Sequence, residues 1–187
     1  MGRMGSFSID GLEELQEQLN KVREEEAEAF VERCARELAG RLLGLVIDRT
    51  PVGVVPKDIY DNKNTKVEIV GADGRKRRSP SNESLIYQKH WAGYTGGELR
   101  RSWTVGLLRK EGSTYKIEVI NNTRYASYVE YGHRQQPGRF VPALGKQLKK
   151  GWVEGKHMLE YSVRDIQQMA PKILEARIKE FLKECME

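Results

Sequence analysis

Apolar residues recur at helical spacing over the first quarter of the chain. From Leu12 they fall at Leu15, Leu19 and Val22, then at Phe30, Val31, Cys34, Leu38, Leu42, Leu45 and Val46. Steps of three and four lay these side chains along one stripe, as in an amphipathic helix with one face against a core. Asp10 is placed to cap its start, with Glu13 three residues on as a capping-box partner. Pro51 stops the pattern, because proline cannot continue a helix. Glu24, Glu25, Glu26 and Glu28 thin the stripe. The pattern therefore predicts one helix ending near Arg49, or two with a break between Lys21 and Ala27.

From Pro51 to Gly97 the periodicity is lost and Gly, Pro and Asn accumulate. One strand is expected at Lys66 to Val70, where Val67 and Ile69 alternate with charged residues. Ala72-Asp73-Gly74 reads as a turn, followed by the basic run Arg75-Lys76-Arg77-Arg78. The whole segment reads as a long loop or an extended hairpin, mobile at its tip.

Order returns at Leu99. Ser102 to Gly106 alternates like a strand, Glu111-Gly112-Ser113 supplies a turn, and Tyr115 to Ile120 alternates again. This predicts a hairpin or meander with Tyr115, Ile117 and Val119 on its buried face. Asn122 or Thr123 is a candidate cap for a short helix, Arg124 to Tyr131. Gly132 to Gly155 is a glycine-rich connection. A second long helical pattern runs from Met158 and Leu159 to Phe181 and Leu182, with a kink or break expected at Pro171. The fold class is α+β: an antiparallel β-sheet packed against long N- and C-terminal helices, with a long loop or hairpin insertion. The chain, 1–187, is expected to be a single domain with the inserted loop at about 53–94.

Composition narrows the function more by exclusion than by pointing. Of 187 residues 32% are charged, with a net charge of +5 at pH 7. Acids and bases interleave almost everywhere, as on solvated helix faces, so the basic balance permits nucleic-acid contact without requiring it. The two cysteines, Cys34 and Cys185, form no disulfide framework, and reduced thiols are expected. No apolar run reaches membrane-spanning length, and no signal-peptide stretch opens the sequence, so no membrane partner is expected.

Reactive constellations are equally scarce. His90, His133 and His157 have no metal-ligand spacing to one another, to cysteine or to carboxylates. Gly93 to Gly97 fits neither a phosphate loop nor a dinucleotide turn, and no nucleophile elbow is present. Catalysis by His133 would have Glu130 as its one close carboxylate, so His133 reads instead as a turn residue. No cofactor and no enzymatic activity are expected. Arg75, Lys76, Arg77 and Arg78 form a candidate partner-contact loop, with a solvated loop tip as the plainer reading. Tyr125, Tyr128 and Tyr131 share one face of the short helix; core packing is the first reading and a subunit contact the alternative.

Tyr125-Ala126-Ser127-Tyr128-Val129-Glu130-Tyr131-Gly132-His133-Arg134 resembles the signature of a tail-component family of tailed bacteriophages, the tail-completion or head-to-tail joining proteins of long-tailed phages and prophages. Gly138 to Pro142 and the helix from Met158 resemble the segments that follow in that family. Its upstream stretch is found here in two halves. Thr50-Pro51-Val52-Gly53 is one, and Thr95-Gly96-Gly97-Glu98-Leu99-Arg100-Arg101-Ser102-Trp103 is the other. The forty or so residues between read as an insertion, which a surface loop tolerates at small entropic cost.

The resemblance implies a structural virion protein made in the host bacterial cytoplasm and carried into the virion tail. It implies a ring of copies touching tail-tube and head-connector proteins, with DNA only in passing. On this reading Tyr125, Tyr128, Val129, Glu130, Gly132, His133, Arg134, Thr95, Gly96, Leu99, Arg100 and Trp103 are motif positions and candidates for the subunit interface. A basic nucleic-acid-binding module is the alternative function.

Overall fold

The computed structural model describes residues 7–8 and 24–186. Leu12 to Arg23, with the Asp10–Glu13 capping box, lies outside the described residues. In chain order the elements are β1 (Phe7–Ser8), α1 (Glu24–Arg49), α2 (Lys57–Asp61), β2 (Lys66–Val70), β3 (Lys76–Pro80), α3 (Asn82–Ile86) and a π-helical turn (Tyr87–Trp91). Then come α4 (Glu98–Arg101), β4 (Trp103–Val105), β5 (Arg109–Glu111), β6 (Thr114–Ile117), β7 (Val119–Asn121), α5 (Ala126–Tyr131) and β8 (Gly132–Arg134). The last are β9 (Phe140–Val141), β10 (Lys146–Gln147), β11 (Trp152–Glu154) and α6 (Met158–Met186). Two long helices with small antiparallel strand pairs make the fold α+β, as the periodicity predicts. The chain divides into two compact units. Unit 1 is Met1–Pro51, Glu98–Gly132 and Gly155–Glu187; unit 2 is Val52–Gly97 and His133–Glu154.

Unit 1 holds the core. Along α1 Phe30, Val31, Cys34, Leu38, Leu42 and Val46 are buried, as the stripe read from the sequence has them; Ala27, Ala35 and Ala39 join them, and Leu45 is half-buried. α6 packs antiparallel to α1. Phe181 stacks on Phe30 with ring centroids 4.6 Å apart, Arg177 meets Glu37, and Arg49 reaches Ser162 (3.1 Å) and Asp165 (2.5 Å). α6 is continuous through Pro171, so of the kink or break expected there the break does not form. Ile166 packs into the α1 core before the proline, and Leu174, Ile178 and Phe181 pack against α1 after it, which holds both sides in one helix.

The strands lie against the same core. β4 pairs with β7, and β5 pairs with β6, which also pairs with β1, all antiparallel. Tyr115, Ile117 and Val119 are buried as the alternation predicts. The expected single strand from Tyr115 to Ile120 is split at Glu118, whose carbonyl accepts the Gly106 amide (2.7 Å) between the two strand pairs.

Unit 2 is built differently. β2 and β3 form a regular antiparallel ribbon, Lys66 opposite Pro80 and Val70 opposite Lys76, closed by a turn where Gly74 sits at φ +75°. The segment expected as loop or hairpin thus contains the hairpin, with α2 before it and α3 and the π-helical turn after it. Pro56 precedes α2, and the Ser81 hydroxyl caps α3 by accepting the Ser84 amide (3.2 Å). Ile59 is the one buried hydrophobic residue of unit 2 among the described residues. Polar links hold much of the rest: the Trp91 indole donates to the Ala143 carbonyl (2.7 Å), and Lys146 pairs with Asp58 (2.5 Å).

Candidate functional site

The motif residues fall into two clasps and two exposed surfaces. The first clasp closes the end of α1. Thr50, fully buried, follows the helix and returns its hydroxyl to the Val46 carbonyl (2.6 Å). Its own carbonyl accepts two hydrogen bonds from the Arg100 guanidinium, at 2.9 and 2.6 Å. A guanidinium here answers the unsatisfied carbonyls and the negative end of the helix dipole. The Trp103 indole donates to the Thr50 hydroxyl (2.8 Å). Leu99 is buried beside Trp103, and its carbonyl accepts the Asn121 amide (2.7 Å). The same Asn121 accepts from the Thr123 amide and hydroxyl, so the turn into α5 is organised by Asn121, and α5 itself has no side-chain cap. The expected capping by Asn122 or Thr123 does not occur.

The second clasp joins α5 to α6. Glu130 is fully buried and accepts the Leu159 amide on both carboxylate oxygens and the Glu160 amide on one, each at 3.1 Å. These are first-turn amides of α6, which lack partners within their own helix. In return, the amides of Lys156 and His157 donate to the Val129 carbonyl (2.7 Å) and the Glu130 carbonyl (3.0 Å) at the end of α5. The approach is close: a Cβ at Gly155 would overlap the Glu130 carbonyl oxygen. His157 pays for the turn with a φ of +49°, uncommon for a residue with a side chain. Glu130 is thus committed to backbone amides, and His133 lies half-buried in β8 near the Gln135 amide.

The remaining motif residues are exposed or structural. Thr95 is exposed, and Gly96 sits at φ +67° in a turn where a Cβ would overlap the Gly53 carbonyl. Gly132 (φ +83°) ends α5, Val129 is partly buried against the unit 1 core, and Arg134 is exposed. The tyrosine stripe does not enter the core. Tyr125 is exposed, with its hydroxyl donating to Glu98 (3.1 Å), and Tyr128 and Tyr131 are 58% and 54% exposed. Spacing put the three on one face of the helix, but it is Ala126 and Glu130 that α5 buries.

The basic run is strand rather than loop. Lys76, Arg77 and Arg78 lie in β3, and Arg75 closes the turn before it. All four are exposed; Arg77 pairs with Asp73 (2.7 Å) and Lys76 with Glu68 (3.4 Å). Among the described residues no group of three or more His, Cys, Asp or Glu is placed to hold a metal ion. A cleft of about 280 Å3 between α1 and α6 is lined by Cys34, Glu37 and Arg177 among others. Burial, aided by the nearby Glu37 charge, pushes the Cys34 thiol up to about 11, away from nucleophile chemistry. Arg177 and Arg41 hold the Glu37 carboxyl down to about 2, and the Glu37–Arg177 ion pair lines the cleft. No described helix is long and apolar enough to cross a membrane.

The first clasp, the ribbon and the α5 half of the second clasp fall within a match to one protein family. Residues 13–132 fit the HK97-gp10-like family, described as "Bacteriophage HK97-gp10, putative tail-component". The matched stretch runs through the basic ribbon and stops at Gly132, before the Gly138–Pro142 segment and α6. No curated protein and no solved structure matches the chain. Spanning close to two thirds of the sequence, the match places the chain in the HK97-gp10-like family, as a structural component of a bacteriophage tail.

Proposed function

We propose that this protein completes the phage tail or joins it to the head, working as a ring of copies against tail-tube and head-connector proteins. The observation that carries this reading is the division of labour among the motif residues. Thr50, Leu99, Arg100, Trp103 and Glu130 are turned inward to fix the helix ends. Tyr125, Tyr128 and Tyr131, from the same motif, are left facing solvent. Tyrosine suits a subunit contact, since its ring is apolar and its hydroxyl tolerates water until the contact forms. A closed ring requires heterologous patches, one for each neighbour, and this stripe supplies one of them. The reading of residues 53–94 as an insertion belongs to the same proposal, with assembly in the host cytoplasm preceding residence in the tail.

An early stop codon in this gene of an inducible prophage, followed by electron microscopy, tests the role. Heads with separate or aberrant tails are expected. Normal infectious particles would overturn it. The alternative of a basic nucleic-acid-binding module does not suit unit 1, where acids outnumber bases.

A further inference from the structure

The charge of this protein is segregated between its units. Unit 2 carries thirteen Lys and Arg against six Asp and Glu, a net +7. Unit 1 carries nineteen against twenty-one, a net −2. The modest overall +5 therefore conceals a compact unit far more basic than the whole chain suggests. Such asymmetry points to a polyanionic partner for the basic part.

Within unit 2 the β2–β3 ribbon concentrates this charge. Lys66, Arg75, Lys76, Arg77 and Arg78 face two acids, Glu68 and Asp73. Register places Lys66, Lys76 and Arg78 on one face of the ribbon, opposite the face that carries Val67, Ile69 and Arg77. Every residue of β2, and Arg75 to Arg78, is exposed. Lys66, Arg75 and Arg78 make no ion pair among the described residues. The two pairs that do form, Lys76–Glu68 and Arg77–Asp73, join exposed groups and are held by little energy. The shape also fits. Two strands about 4.8 Å apart, with long side chains on both faces, make a body that the roughly 12 Å major groove of duplex DNA admits.

We infer that the β2–β3 ribbon binds the phosphate backbone of duplex DNA, without sequence preference and in a salt-labile way. Lys66, Arg75, Lys76 and Arg78 neutralise phosphates, and Arg77 joins them by exchanging Asp73 for a phosphate oxygen. Contacts to phosphate carry no sequence information, so the contact holds DNA without selecting it. Such a contact, weakened by salt, lets DNA slide, as a passage for DNA requires. The inference rests on charge and geometry of the ribbon and stands whether or not the tail-joining reading does.

The test is fluorescence anisotropy of the full chain with a labelled DNA duplex of arbitrary sequence, titrated with salt, with unlabelled poly-glutamate as competitor. The comparison protein is the quadruple variant Arg75→Ala, Lys76→Ala, Arg77→Ala, Arg78→Ala. Its exposed positions leave the core untouched, which an unchanged far-ultraviolet circular dichroism spectrum verifies. Binding to the parent is expected at low salt, independent of sequence, and the variant should bind more weakly by about tenfold or more. Its salt slope should be shallower by about four, one for each lost side chain. Three results would overturn the inference: no binding at low salt; equal binding by parent and variant; or poly-glutamate displacing the duplex as well as unlabelled DNA does at equal charge. The last would assign the ribbon to an acidic protein surface.

Discussion

Units 1 and 2 differ in where their apolar side chains end up. Of the twenty-one buried hydrophobic residues described, twenty belong to unit 1 and one, Ile59, to unit 2. Of the eighteen large hydrophobics left exposed, ten belong to unit 2. Unit 1 has two long helices whose stripes meet, so its burial is self-sufficient. Unit 2 has a two-stranded ribbon, short helical turns and small strand pairs, and a ribbon of that kind is marginal in water by itself. The contrast teaches that burial, and with it most of the stability, is carried by the stretches of chain that make unit 1. Unit 1 is a scaffold, and unit 2 leaves most of its large apolar side chains at the surface.

Matched substitutions break this contrast if it is wrong. Leu42→Ala, in the unit 1 core, should cost about 3 kcal/mol in urea unfolding, while Ile69→Ala on the ribbon should stay within about 0.5 kcal/mol. Equal losses at the two sites would mean that the ribbon is also structural. Glu130→Ala should come close behind the core deletion, at about 2–3 kcal/mol, because it strands the α6 amides that Glu130 accepts. Thermal unfolding followed by calorimetry would show it as a lower melting temperature. Trp103→Phe keeps the ring and removes the donor to Thr50, so the same experiment should show a loss of about 1 kcal/mol.

The smallest expected effect is electrostatic. Glu37 is held at about 2 against an ordinary 4.5 by hydrogen bonds and charge from Arg177 and Arg41. A depressed carboxyl contributes stability that is present above its unfolded value and lost as pH falls through the folded one. Melting temperature should therefore decline between about pH 4.5 and 2. Glu37→Gln should lower the melting temperature modestly at neutral pH and leave it nearly unchanged near pH 2, which flattens part of that decline; an identical decline in the variant would show that Glu37 does not contribute.

Sequence legibility followed the same division. The α1 stripe, the β2 limits and the burial of Tyr115, Ile117 and Val119 were readable, because long or alternating patterns report directly on a buried face. The short helices of unit 2 were not, since five residues carry too little periodicity. The available signals were local: Pro56 before α2 and the Ser81 cap before α3. The tyrosines show the limit of spacing, which tells that residues share a face and leaves open whether that face is covered. Glu130 shows another limit. Its partners are amides at Leu159 and Glu160, nearly thirty residues on, and only the fold brings them together. The Pro171 break failed for a related reason, since tertiary packing overrode the local preference.

Hydrogen exchange of the free protein, read by mass spectrometry across both units, tests the scaffold-and-surface division most directly. Amides of α1 and α6 should open only with global unfolding, while those of β2 and β3 should exchange through local opening at far lower cost. Uniform protection across α1, α6 and the ribbon would contradict the account, because it would mean that unit 2 is as firmly held as the core it lacks.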